Sequence, residues 1–353
     1  MIKTAEQQQP NQTCGEQPSV SVVLTTYNRA HLLEATLESI LSQTLSDFEL
    51  IIADDASRDE TAEVCRGWIE SRQDNLGGFP CLGRLLRRGQ FGVTGQQGHF
   101  ARILPTPIRY YRRPRNLGMP LNLNLGILAS TGKYVAILHD DNVYSPDLLK
   151  EWKACLDEHP RAAFVFNAYR YLDARGQTRT EYREDLPRCS PGSVLLEKIF
   201  FKRWRFNSPV YGTVMLRRTA FDHAGSFDPR FGFWADVDMW MRLAEEFDVC
   251  YIDKPLIAVT SSEVALHQFD DRDEVVRPLL ERMFWEARMR HYRRRPARRS
   301  AEAIRHWGYV AAGRTWQFAC AVNRRIRFLK KLAPTTHSAQ NEAHSIRRDA
   351  LTL

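Results

Sequence analysis

The chain has no apolar run near the roughly eighteen residues that a membrane-spanning helix needs, so no part of it reads as a transmembrane segment. Its first residues, MIKTAEQQQPNQTCGEQPS, have no apolar centre and so lack the mark of a secretory signal. Cysteines are few: seven in 353 residues, odd in number, scattered, and never in a CxxC pair. That spacing argues against a disulfide framework or a zinc site, and for reduced thiols in a cytoplasmic protein. No internal repeat is visible, and no basic glycine-rich phosphate loop follows the first apolar run. The missing loop counts against a nucleotidyltransferase.

What is present is enough for a sizeable core. Hydrophobic residues make up 43% and aromatics 11% of a length that suits one large domain with an appendage, or two domains. The net charge of +8 is unevenly spread. From Glu281 onward there are 17 Lys/Arg against 5 Asp/Glu, a net of +12, which leaves −4 for residues 1–280. The basic charge therefore describes a partner of the C-terminal region and not of the core.

Ser19–Leu24 is an unbroken, largely β-branched run, as in a buried parallel strand. Ala30–Gln43 carries Leu32, Leu33, Leu37, Ile40 and Leu41 at helical spacing, and Phe48–Ala53 is a second buried strand. Ser57 and Asp59 are candidate N-caps for a helix reaching about Glu70. Residues 72–107 lose this rhythm and read as a surface insertion. Strands are expected at Ile108–Tyr111, Tyr134–Leu138, Ala162–Tyr171, Val210–Leu216 and Val249–Ile252. Helices are expected at Pro120–Ser130, from Pro146 to about His159, at Thr219–Ala224 and at Asp236–Glu246. The alternation predicts an α/β fold with a mostly parallel sheet between flanking helices. The composition shifts near Leu279. The expected division is a disordered segment 1–18, a catalytic domain 19–278 and a basic helical extension with a disordered tail, 279–353.

Three places along this pattern carry chemistry. Thr25, Tyr27 and Asn28 follow the first strand and would lie beyond its carboxyl end, where open α/β sheets bind ligands; they offer a hydroxyl, an aromatic face and an amide. Asp54-Asp55 ends the second strand, and could either accept hydrogen bonds from a nucleoside or serve the turn. Asp140-Asp141 ends another apolar strand, where an uncompensated acid pair suits a divalent cation and a diphosphate, or a helix cap.

Taken in order, SVVLTTYNR, LIIADDASRDET, the spaced Asn116-x-Gly118-x(5)-Asn124-x-Gly126 before Gly132-Lys-Tyr134, and HDDNVYSPD resemble family 2 glycosyltransferases of the GT-A fold. The order and spacing agree over about residues 19–160, and later pieces continue to about residue 270. Within that family, SQTLSDFELIIADDAS and DDNVYSPDLLKEWKACLDEHP look closest to the bacterial spore-coat polysaccharide type. The resemblance implies a nucleotide-binding half, about 19–145, and an acceptor half, about 146–278. It implies Thr25, Tyr27, Asn28, Asp55 and Asn116 as nucleotide-sugar contacts, Asp140 as the ribose contact, and Asp141 as the ligand of Mg2+ or Mn2+. His139 stands where the family's metal motif begins with an acid. His267 falls where relatives place a histidine near the metal; read alone, it is a surface or core residue.

On the acceptor side, Phe231-Gly-Phe-Trp-Ala-Asp236-Val-Asp238 resembles the segment in which acids open a helix, with Ala235 in place of the first. Asp236 matches the general base that takes the acceptor's proton. Asp238 is expected to pair with Arg242 one turn on. Phe233 and Trp234 would either face a sugar or enter the core. Arg112, Arg113 and Arg115 would either approach the diphosphate or form a solvated basic loop, the second being the preferred reading. Residues 281–331 mix cations with Trp, Phe and Leu, which fits an interfacial helix on an anionic membrane surface at the inner face, and fits equally helices packed on the catalytic domain. No nucleic-acid motif accompanies them. The implied reaction moves a sugar from a nucleoside diphosphate, UDP or dTDP, to a saccharide, lipid-linked or other hydroxyl acceptor with inversion, in polysaccharide or glycoconjugate assembly. The alternatives are a non-catalytic sugar-nucleotide-binding protein and a nucleotidyltransferase.

Overall fold

The computed structural model describes residues 17–73, 106–173, 176–201, 209–260 and 276–293. The expected N-terminal segment and insertion, His267, and the tail beyond residue 293 lie wholly or almost wholly outside them. The first half is β1 (Val20–Thr26), α1 (Ala30–Leu41), β2 (Phe48–Asp54), α2 (Thr61–Gln73), β3 (Ile108–Arg112), α3 (Met119–Leu128) and β4 (Tyr134–His139). Its four strands are parallel, in the order β3-β2-β1-β4. The chain moves outward from β1 to β3 and then returns to the other side of β1. The crevice beyond β1 and β4 is therefore the switch point at which open α/β sheets take ligands.

The register sets three strand ends level. Thr25 of β1 is opposite Ala53 on one side and His139 on the other. Both faces of these strands are covered. Val22, Leu24, Leu50, Ile52, Ala136 and Leu138 enter one core, and Val23, Ile51, Val135 and Ile137 the other. Burying each Leu, Ile or Val contributes about 1.5–3 kcal/mol, so this alternation holds the strand ends firmly. One carboxylate joins the first two helices: Asp59 accepts from Ala30 N–H at 3.0 Å, at the start of α1, and from Thr61 N–H at 3.2 Å, at the start of α2.

The second half is mixed. It comprises β5 (Asn142–Tyr144), α4 (Leu148–Glu158), β6 (Ala162–Leu172), β7 (Thr178–Tyr182), β8 (Cys189–Pro191), α5 (Gly192–Phe201), β9 (Val214–Arg217), α6 (Arg218–Ala224), a 3-10 turn (Pro229–Trp234), α7 (Ala235–Ala244), β10 (Asp248–Thr260) and α8 (Val276–Arg293). Beyond β4 the sheet continues β9-β6-β10-β5, with β9 and β5 antiparallel to their neighbours.

The structure departs from the sequence pattern in three places. The strand expected from Val210 begins only at Val214, because Gly212 has φ +66, which a strand does not hold. The strand expected to stop at Ile252 runs on to Thr260, with the register shifting at Pro255 to absorb the missing donor. The division expected near Leu279 falls inside α8, whose Leu280, Met283, Phe284 and Ala287 are buried in the main core. The apolar face of this part of the basic extension is therefore spent on packing, and the described residues up to His291 fall in one compact unit.

Candidate active site

The acid pair after β2 is occupied by the protein itself. Asp54, fully buried, accepts from the Ser57 N–H at 2.8 Å, the Ser57 hydroxyl at 2.6 Å and the Tyr110 hydroxyl at 2.6 Å. Asp55, only 4% exposed, accepts from Leu117 N–H at 2.7 Å and Gly118 N–H at 2.8 Å. The carboxylate expected at a nucleobase thus fixes the loop that carries Asn116. Asn28 is also built into the frame: at φ +53, its N–H donates to Ser57 Oγ at 2.9 Å, and its Oδ1 accepts from Arg58 N–H at 2.7 Å.

These turns enclose a cleft of about 300 Å³ lined by Tyr27, Ala56, Arg58, Arg112, Pro114 and Asn116, with Arg113 and Arg115 alongside. Tyr27 is 41% exposed and Asn116 is exposed. The basic residues are more than a solvated loop, since Arg112 donates to Ser57 C=O at 2.6 Å and Arg113 to Asn122 Oδ1 at 3.1 Å.

The pair after β4 is placed differently. Asp140 is 9% exposed, and burial pushes its carboxyl up to about 6. The Asp141 charge acts in the same direction, against the Thr26 hydroxyl, Arg29 and the Tyr27 N–H. Asp141 is partly exposed, and its charge reaches His139, Tyr144, Tyr171 and Tyr211. Burial lowers the His139 pKa, against the pull of Asp141 and of a hydrogen bond to the Gly212 backbone. Its ring is therefore held neutral. The Tyr144 hydroxyl splints this turn, accepting from His139 N–H and donating to His139 C=O, both at 2.8 Å. An oxygen-rich, partly exposed carboxylate such as Asp141 fits Mg2+ or Mn2+.

The second half of the sheet meets this corner at Gly212. A Cβ added there would lie 3.0 Å from His139 Nε2 and 3.2 Å from Asp236 Oδ2. Asp236 opens α7 and accepts from Val237 N–H at 2.6 Å. Burial nonetheless pushes its carboxyl up to about 7 against that hydrogen bond. Asp238 pairs with Arg242 at 2.8 Å, as its spacing predicts, and Arg242 also donates to Ala224 C=O and Ser226 C=O. Phe233 is 54% exposed, whereas Trp234 packs partly on the core. A line of rings runs outward from His139: Tyr211 edge-on at 6.4 Å, Tyr169 4.7 Å beyond it, and Tyr182, 47% exposed, stacked on Tyr169 at 5.1 Å.

Some motif residues serve this geometry from a distance. Asn124 of α3 clamps the Phe227 backbone, donating to its C=O at 2.8 Å and accepting from its N–H at 2.9 Å, which ties the loop before α7 to the first half. Gly126 and Gly132 permit close packing, since a Cβ would come within 2.7 Å of Val23 and 2.6 Å of Ser21. The sequence reading did not single out Gly212 or the tyrosines. An isolated glycine in an otherwise strand-like run was the available signal for Gly212.

The chain belongs to glycosyl transferase family 2, whose family model matches residues 21–79 and 96–225. It is a nucleotide-sugar-dependent glycosyltransferase with a GT-A fold. It is similar to the putative glycosyltransferase EpsE of Bacillus subtilis, 25% identical over 231 residues, or 65% of this chain and 68% of EpsE. It is also similar to a PGL/p-HBAD biosynthesis glycosyltransferase of Mycobacterium tuberculosis, 26% identical over 64% of this chain and 69% of that one. Among solved structures, the crystal structure of S. aureus TarS shares the fold, with a TM-score of 0.50 and 16% identity over 78% of this chain and 43% of TarS.

Proposed function

We propose that the chain transfers a glycosyl group from UDP- or dTDP-sugar to an acceptor hydroxyl with inversion, and that Asp236 is the general base. The supporting observation is the convergence at Gly212, where the Asp236 carboxylate from the acceptor half reaches the strand-end corner of the donor half. In a single displacement the acceptor oxygen attacks the anomeric carbon as its bond to the diphosphate breaks. The hydroxyl proton passes to Asp236 Oδ2. A carboxyl pushed up to about 7 is matched to that transfer near neutral pH.

The cleft beside Tyr27 suits the base. Uracil and thymine present two carbonyls flanking a ring N–H. The Asn116 amide offers both a donor and an acceptor, and the nearby arginines offer further donors. Thr25, level with His139, and Asp140 would meet the ribose side. Asp55 and Asn28 act as positioning residues that hold the loops carrying these groups. Asp141 would hold Mg2+ or Mn2+ with the donor diphosphate; when bound, the cation supplies charge stabilisation for the leaving diphosphate. The exposed Tyr182 and Phe233 offer aromatic faces to an acceptor saccharide. Asp236→Asn is the decisive variant. Transfer is expected to fall about 10²–10⁴-fold while donor binding is retained; unchanged turnover would remove Asp236 from the mechanism.

A further inference from the structure

A second cluster of ligating side chains lies at the opposite, N-terminal end of the β6–β10 pair. Cys155 sits in the last turn of α4, and His159 caps that helix four residues later, on the same face. Cys250 is near the start of β10, and Cys189 is its register partner on β8. The sulfurs of Cys155 and Cys250 and a ring nitrogen of His159 all lie within 4.8 Å of one another. The Cys250 thiol also interacts with that of Cys189. All three cysteines are free thiols, and Cys155 and Cys250 are fully buried.

Packing alone accounts for buried thiols, which behave as small apolar groups. It gives no reason for an imidazole nitrogen to be gathered among them. A tetrahedral zinc site has Zn–S near 2.3 Å and Zn–N near 2.0–2.1 Å, so its ligand atoms stand about 3.5–3.8 Å apart. The Cys155 and Cys250 sulfurs and the His159 nitrogen, all within 4.8 Å of one another, need to draw in by at most about 1 Å, and Cys189 joins them through its thiol contact with Cys250. Arg188, paired with Glu158 at 2.9 Å, borders Cys155 and would offset the net negative charge of three thiolates on a divalent ion.

We propose that Cys155, His159, Cys189 and Cys250 form a closed site for a thiophilic divalent cation, zinc by preference, which staples α4 to β8 and β10. The absence of a CxxC pair argued against zinc from the sequence. That argument fails here because the ligands come from separate elements and meet only in the fold.

The test uses the full chain, purified under reducing conditions without chelator. Elemental analysis is expected to find about one zinc per chain. Exchange for Co2+ is expected to give thiolate-to-cobalt charge-transfer absorption, which an oxygen-ligand site such as that at Asp141 does not produce. His159→Ala, at a half-buried helix end that should tolerate it, is expected to lower zinc affinity at least about tenfold. Asp141→Asn should keep both the zinc and the absorption band. The proposal is overturned if the reduced chain takes up no stoichiometric zinc, if the cobalt band is absent, if Asp141→Asn abolishes zinc binding, or if the isolated protein carries a disulfide among these cysteines.

Discussion

The ends of β2 and β4 carry the same dipeptide, Asp-Asp, at neighbouring places in one parallel sheet, yet the two pairs have different surroundings. After β2, internal donors occupy the acids: Ser57 and Tyr110 on Asp54, and the Leu117 and Gly118 amides on Asp55. After β4, Asp140 is pushed up to about 6 by burial, and Asp141 remains partly exposed at the crevice. Exposure separates the two pairs. A strand-end acid buried among internal donors shapes a loop, whereas one that stays partly exposed at the crevice is open to a ligand.

Substitution at the two ends should therefore separate chemistry from stability. Asp141→Asn is expected to reduce transfer about 10²–10³-fold with little change in melting temperature; a large loss of stability with normal turnover would reverse the contrast. Asp54→Ala should do the opposite. Leaving the Ser57 and Tyr110 groups unpaired is expected to destabilise the fold by about 3 kcal/mol in denaturant titration, with transfer by the folded protein changed only a few-fold.

Asp236 adds a pH-dependent version of the contrast. Its folded pKa, about 7, lies above the ordinary carboxyl value of 3.8, so the folded state binds more protons than the unfolded one between these values. Stability should fall as pH rises from about 4 to about 7. Asp236→Asn is then expected to be about 1–2 kcal/mol more stable than the parent at pH 8 and equal to it near pH 4. Among the described residues, the neutral His139 ring across Gly212 and the Val237 N–H lie beside Asp236. No gain at pH 8 would mean that its carboxyl titrates normally. The smallest effect is expected in the cleft. Tyr27→Ala should weaken donor binding by about tenfold through lost stacking, without altering the response to the acceptor.

The parallel half was legible because three of its four strands, β1, β2 and β4, are buried on both faces. Runs such as Ser21–Leu24 and Phe48–Ala53 are nearly continuous in apolar residues, and the acids that end them mark the ligand side of the sheet. The mixed half was harder to read. The strand expected to end at Ile252 runs on past Pro255, which a register shift absorbs, while the three-residue β5 is too short to leave a pattern. The sequence pattern also could not separate the two acid pairs, because the donors that occupy Asp55 come from Leu117 and Gly118, more than sixty residues away. Asp238 pairing with Arg242 was readable because both lie on one helix turn. The cysteine cluster was invisible for the same reason as the donors to Asp55: it depends on distance in space.

Gly212 leaves the corner between His139 and Asp236 little tolerance for change. Any side chain there would press on both the His139 ring and the Asp236 carboxylate, and an L-residue at φ +66 is strained in any case. Most of the chain would keep its packing, since the crowding is confined to the crevice. One substitution could thus turn this transferase into a folded protein with impaired chemistry. That makes the position a practical marker for separating active copies of such a gene from retired ones, and a poor choice for engineering new acceptor specificity.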